Sequence, residues 1–258
     1  MASLLTGLGQ FEAAEKLDRE SVAVIKSLAD TFPSSQKYQR DYAASLYNSS
    51  GLHSQAGRHE EAIRLLSLSE EKTSDLSIRY PKIVKYQALL SDIYTNSGLT
   101  YRLLGDDQKS IQNYDRSINA SRQLVQLEPN EVDHQYSLGL ALNNVGNLHE
   151  RRGNRKTGLK LLKEGFEVLQ HLVDEFPDVD KNRLHLGKTC NNLGNLFIRK
   201  GQFDDAGKWY EKASDMFSHL IKKNALERQS KQELSKCKNN MAVIAVQTGR
   251  YTLSLIHI

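Results

Sequence analysis

The sequence predicts an all-α fold built from repeated pairs of antiparallel helices. Three observations carry that expectation. Gly9, Gly57, Gly105, Gly153, Gly201 and Gly249 recur at intervals of 48 residues. Every proline, Pro33, Pro81, Pro129 and Pro177, falls 24 residues after one of those glycines. Between these marks apolar residues return at spacings of three and four, as in Leu186, Cys190, Leu193, Leu196 and Phe197, and again in Trp209, Phe217, Leu220 and Ile221. That is the period of a helix with one buried face. The period-two runs and Asn-Gly turns of a β-hairpin are absent from the sequence.

Each repeat reads in one order. A helix A comes first and ends at the glycine, whose left-handed conformation closes a helix without a Cβ penalty. Helix B follows and stops near the proline, which cannot continue a helix and restricts the residue before it. Each helix takes about 20 residues, or roughly 30 Å. The units run 1–33 (partial), 34–81, 82–129, 130–177, 178–225 and 226–252 (partial), forming one array over 1–252. In the last proline position stands Ala225.

Small residues mark the seams between helices. Seven before the loop glycine stand Ala2, Ser50, Gly98, Gly146, Gly194 and Ala242. Five after it stand Ala14, Ala62, Ser110, Gly158 and Ala206, and twelve after it Ser21, Ser69, Ser117, Gly165 and Ala213. Small side chains at fixed steps let two helix backbones approach, and a leucine there would overpack the seam at a cost of roughly 1–3 kcal/mol.

With Gly194, Gly201, Ala206 and Ala213 in place, and the run Asn191-Asn-Leu-Gly-Asn-Leu-Phe-Ile-Arg-Lys-Gly-Gln-Phe between them, the pattern resembles the tetratricopeptide repeat. Gln10-Phe-Glu-Ala-Ala-Glu is a second match. The usual unit of that family has about 34 residues, against 48 here, and the surplus is expected to lengthen both helices. The resemblance implies a right-handed helix-pair solenoid whose concave side is lined by helix A. A looser resemblance, through (Phe/Tyr)-Pro and Asn-Asn-(Leu/Val)-Gly, is to arrays attached to bacterial serine/threonine protein kinases of planctomycete type.

Composition excludes several classes of function. With 39% apolar and 26% charged residues the chain can form packed cores. No stretch approaches the roughly 20 uncharged apolar residues of a membrane span. Met1 to Leu8 lacks the basic start of a signal peptide. Two cysteines, Cys190 and Cys237, lie within apolar columns and read as reduced core thiols of a cytoplasmic protein. His149-Glu150 lacks a zincin's second histidine, Gly7-Leu-Gly9 lacks a dinucleotide loop's third glycine, and no kinase catalytic motif is present. The expectation is a non-enzymatic protein with no cofactor and no metal.

Residues 1–129 hold 15 basic and 16 acidic residues and residues 130–258 hold 20 and 15, so the halves carry −1 and +5. A basic groove favours an acidic protein or peptide. Nucleic acid is disfavoured, because no aromatic platform accompanies the lysines.

Nine residues before the loop glycine stand Asn48, Asn96, Asn144, Asn192 and Asn240. Asparagine is a mediocre helix former, so this column has a reason. Either the amides bridge neighbouring repeats and hold them in register, or they face the groove, where a carboxamide both donates to and accepts from a peptide backbone. The resemblance also implies ligand contacts at thirteen, ten, six, three and two before the glycine. These positions give Leu140, Asn143, Asn147, Glu150 and Arg151, then Lys188, Asn191, Asn195, Ile198 and Arg199, then Lys236 and Asn239. The expected function is a protein-interaction scaffold that captures an extended peptide or partner helix. The alternative is the docking segment of a multidomain serine/threonine kinase.

The array starts inside a helix A and stops before a last helix B. Val243, Ile244 and Val246 are expected to face a missing partner, so head-to-tail association of copies is a further expectation. Leu253-Ser-Leu-Ile-His-Ile258 departs from the repeat columns and matches the translation of a sequencing adapter. Residues 253–258 are therefore expected to be non-native and the chain a fragment.

Overall fold

A computed structural model describes residues 11–249, and within them the chain forms ten α-helices and no strand. They are α1 (Phe11–Thr31), α2 (Gln36–Gln55), α3 (His59–Arg79), α4 (Val84–Leu103), α5 (Asp107–Leu127), α6 (Val132–Arg151), α7 (Arg155–Glu175), α8 (Asp180–Arg199), α9 (Phe203–Lys222) and α10 (Glu227–Thr248). Even-numbered helices are the A helices and odd-numbered ones the B helices. A helices begin at Gln36, Val84, Val132 and Asp180, and B helices at His59, Asp107, Arg155 and Phe203, in steps of 48. Gly7, Gly9, Ala2 and the 253–258 tail lie outside the described residues.

The turns follow from the residues that fill them. Gly57 adopts φ +76°, its N–H bonds to the Ser54 carbonyl, and the Arg58 N–H bonds to the His53 carbonyl. This pair of bonds satisfies the last carbonyls of α2. Tyr80, Glu128 and Phe176 cap B helices, each with a proline directly after it. The turn without a proline is different: Asn224 and Leu226 take φ +55° and +49°. For Leu226 that conformation costs energy because its Cβ crowds the backbone.

Two compact units divide the chain, Met1–Glu128 and Pro129–Ile258. In the first, α2–α3 and α4–α5 form hairpins, α1 packs on α2, and α3 packs on α4. In the second, α6–α7 and α8–α9 form hairpins, α7 packs on α8, and α9 packs on α10. The A helices α6, α8 and α10 also touch in turn.

The seams differ between the units. In the second unit a Cβ on Gly158 would lie 2.8 Å from the Gly146 carbonyl, and one on Gly194 would lie 2.6 Å from the Tyr210 ring. Leu172, Leu186, Cys190, Tyr210, Phe217 and Leu220 fill the core beside them. In the first unit hydroxyls occupy the same columns and are bonded across the hairpin. Ser69 donates to the Ala43 carbonyl, Ser110 to the Gly98 carbonyl and Ser117 to the Ser91 carbonyl, at 2.7, 2.7 and 3.2 Å. A buried hydroxyl with a partner avoids the desolvation penalty of an orphan.

Val243 and Val246 on α10 are exposed, at 45% and 59%. Ile244 is not: it packs against the core of the second unit. The expectation that all three face outward is corrected for Ile244, whose position on the helix turns it toward α8 and α9.

Candidate functional site

The A helices of the second unit carry most of the polar residues singled out in the sequence, and a constant offset organises them. Asn192 Nδ2 donates to Asn143 Oδ1 at 2.9 Å, from α8 to α6. Asn240 Nδ2 donates to Asn191 Oδ1 at 3.4 Å and to Asn195 Oδ1 at 3.1 Å, from α10 to α8. Arg199 Nη1 bonds both oxygens of Glu150, at 2.8 and 2.6 Å. Tyr136 and His185 meet edge to face at 5.6 Å. Asn143–Asn192, Asn191–Asn240, Glu150–Arg199 and Tyr136–His185 are all pairs 49 residues apart, one repeat plus one position. In the first unit Tyr47 and Asn96 stand at the same offset, and Asn96 is among the groups that act on the Tyr47 hydroxyl. Together these contacts form a ladder of rungs between successive A helices.

The ladder decides what each candidate residue can reach. Asn143 and Asn191 are 7% and 8% exposed. Asn191 Oδ1 also accepts from the Cys237 thiol, and Asn195 Oδ1 from the Tyr210 hydroxyl. The four-residue spacing places Asn191 and Asn195 against α10, whereas Arg199 reaches the other way, to α6. Glu150, expected by resemblance to face a ligand, is instead a structural partner: its side chain is 2% exposed beneath Arg199. A buried carboxylate needs such a partner, because an isolated charge in an apolar site is costly. A glutamate inside an otherwise apolar helix stripe was the available signal.

The remaining candidates are open. Arg151, Lys236 and Asn239 are exposed, and Asn144, Asn147 and Lys188 are half-buried. Asn48 is the exposed member of the asparagine column and Asn96 a half-buried one. Lys236 pairs with Glu233 at 2.9 Å. Burial lowers the pKa of Lys188, Glu233 raises it in part, and Lys236 lowers it further. Close by, burial and the charges of Lys188 and Lys181 lower His185 to about 4, so its imidazole is neutral at pH 7. Lys181 itself pairs with Asp133 at 3.1 Å and lies 4.5 Å over the Tyr136 ring. The surface is therefore rich in cations and amides with few free acids.

Nucleophilic chemistry finds no support here. Burial pushes the thiols of Cys190 and Cys237 up to about 12, far from the thiolate that reacts. Among the described residues no group of three or more His, Cys, Asp or Glu is placed to hold a metal ion. Nor is any described helix long and apolar enough to cross a membrane. Trp209 sits at the rim of the core, edge-on to Phe166 at 5.1 Å with Lys212 over both rings.

Two family models, both described as tetratricopeptide repeat, match the chain at residues 91–130 and 189–216. Each window spans the second part of an A helix, the turn glycine and most or all of the following B helix. Such repeats mediate protein–protein interaction, and proteins built from them are typically non-enzymatic. No curated protein matches the sequence. Among solved structures, the crystal structure of BtubC (BKLC) from P. vanneervenii is similar with a TM-score of 0.70 and 19% identity, covering 95% of this chain and 86% of that one. MamA of AMB-1 is similar with a TM-score of 0.38 and 19% identity, covering 86% and 87%. A second MamA structure gives 0.38 and 17%, covering 86% and 97%. The likeness to BtubC is one of fold: an all-helical solenoid of helix pairs.

Proposed function

We propose that the chain is a non-enzymatic scaffold that binds an extended acidic segment of a partner protein on the A-helix face of its second unit. The observation that carries this reading is the set of groups the ladder leaves over: Asn147, Arg151, Lys188, Lys236 and Asn239. Cations of α6, α8 and α10 would pair with ligand carboxylates, and the amides of Asn147 and Asn239 with ligand backbone. In this refinement Asn143, Asn191 and Asn195 back the surface and Arg199 contributes the half of its guanidinium not held by Glu150. Lys188 contributes most, because a cation already partly desolvated loses little water when a carboxylate arrives.

Hydrogen bonds worth about 1 kcal/mol each make a micromolar dissociation constant the expected scale. The test is fluorescence anisotropy with a labelled peptide of alternating glutamate and alanine. The double reversal Lys188→Glu with Arg151→Glu is expected to weaken binding about tenfold or more, equal to 1.4 kcal/mol. Rising salt should weaken the wild type as well. Equal affinity of the folded double variant and the wild type would remove the reading. The same surface would serve a docking segment of a serine/threonine kinase, and an upstream reading frame with a glycine-rich loop and catalytic Asp would decide for that context.

A further inference from the structure

Along α7 the charges are sorted by sign. Arg155, Lys156, Lys160 and Lys163 fill the first half of its exposed face, and Glu167, Asp174 and Glu175 the second. Steps of four, three, four and seven carry Lys156, Lys160, Lys163, Glu167 and Asp174 along one stripe of the helix. This order works against the helix itself. Helix α3 opens on Glu60 and Glu61 and α9 on Asp204 and Asp205, where the positive end of the backbone dipole attracts acids. Helix α7 opens on Arg155 and Lys156 with no acid in its first turn, and it closes on Asp174 and Glu175. Among the described residues no ion pair holds Arg155, Lys156, Lys160, Lys163, Glu167 or Glu175. Asp174 accepts from the Gln170 amide of its own helix at 2.8 Å.

The pattern is a mirror about Gly165. Arg155 and Glu175 stand ten residues either side of it, Lys156 and Asp174 nine, Lys160 and Gln170 five, and Lys163 and Glu167 two. Two copies of one helix laid antiparallel oppose residues at equal distances from the crossing point, so each of these pairs meets twice. We propose that the exposed face of α7 is a self-complementary contact with a second copy of this chain, the two α7 helices antiparallel and crossing at Gly165. The cations of each first half then meet the acids of the other copy's second half, and the Lys160 ammonium meets the Gln170 carboxamide oxygen. A parallel pairing would set like charges together. A polyanion following the cations would run onto Glu167, Asp174 and Glu175, and an apolar helix would find no large apolar side chain exposed on α7. The partner that fits carries the charges of α7 in reverse order, which an antiparallel copy supplies. Exposed ion pairs contribute little singly, so the dimer is weak and labile to salt. A patch that meets itself closes the assembly at two copies.

The test needs no ligand and leaves Asn147, Arg151, Lys188, Lys236 and Asn239 untouched, so its outcome is separate from that of peptide capture. Molar mass is measured by light scattering from about 10 µM to 1 mM protein, in about 20 mM salt, where charges are weakly screened. Wild type is expected to rise from 29.2 kDa toward twice that mass, and to return to it in about 0.5 M salt. Lys156→Glu with Lys163→Glu sets acids against acids across the contact, and Glu167→Lys with Asp174→Lys sets cations against cations. Each double variant alone is expected to remain monomeric, and their equimolar mixture to dimerise. The chain with all four changes keeps the net charge of wild type and is expected to dimerise as wild type does. Lys156→Glu and Asp174→Lys place charges where the dipole of α7 favours them, so the variants are expected to be folded, which circular dichroism checks. A wild type monomeric throughout overturns the proposal. So do double variants that associate alone, a mixture that stays monomeric, or a fourfold variant that does not associate.

Discussion

At the scale of the residue, glycines in the middle of helices separate close packing from open space. A Cβ on Gly158 would meet the Gly146 carbonyl at 2.8 Å and the Glu150 amide nitrogen at 3.0 Å, both backbone atoms that cannot yield. On Gly207 it would meet nothing within 4 Å. Gly158→Ala is therefore expected to cost about 1–3 kcal/mol, and Gly207→Ala to gain up to about 1 kcal/mol, both read as urea midpoints. A second residue gives stability a dependence on pH. His185 is held neutral down to about pH 4, whereas the unfolded chain takes up its proton near 6.5. Between those values the unfolded state binds more protons, so stability is full above about 6.5 and falls as pH drops toward 4. His185→Gln should flatten that part of a urea stability profile. The seam glycines were legible as a column of small residues. Their neighbours were not, because sequence spacing fixes which residues share a face but not which atoms oppose them.

At the scale of the element, two members of the asparagine column, Asn192 and Asn240, bridge neighbouring A helices. Asn192→Ala would leave the buried Asn143 oxygen without its donor, a loss of about 1–2 kcal/mol. Asn48→Ala, on an exposed face, should change stability little or slightly favour it, since alanine is the better helix former. Thermal unfolding of the two variants side by side checks the contrast; equal losses would mean that the ladder is not what holds the column. The periodic asparagines announced the column in the sequence and left two readings open. The pairing of Asn192 with Asn143 and of Asn240 with Asn191 supports the bridging one. What the sequence did not disclose is the step of 49. A repeat of 48 aligns identical positions, and the extra residue comes from how neighbouring helices are rotated, which is a matter of packing. The same step explains why Arg199, a candidate ligand contact by resemblance, is tied to Glu150. Turns were legible at both kinds of junction, since glycine and proline act locally. The exception, Asn224 to Leu226, falls where the proline is absent.

At the scale of the whole molecule, stability in a chain of stacked repeats is close to a sum of local terms and nearest-neighbour seams. The two units build those seams from different chemistry. Bonded hydroxyls such as Ser69, Ser110 and Ser117 recur in the first, beside Gly98 against the Tyr114 ring, whereas glycines facing backbone, leucines and rings fill the same columns of the second. Helix content and element order were legible from glycine, proline and the apolar period. The division at Glu128 was not, because the columns continue through it without a break. Helical hairpins rely on contacts close in sequence, which favours fast, local folding. Unfolding monitored separately in each unit is expected to give two curves with different midpoints in urea; superimposed curves would mean one cooperative block.

Nature has supplied the means to record those curves. The chain has one tryptophan, Trp209, in the second unit, lodged against Phe166 beneath Lys212. Eight of its eleven tyrosines, from Tyr38 to Tyr114, belong to the first unit. Indole emission thus reads one half of the protein and phenol emission chiefly the other, so a fluorimeter can follow both without dyes or labels.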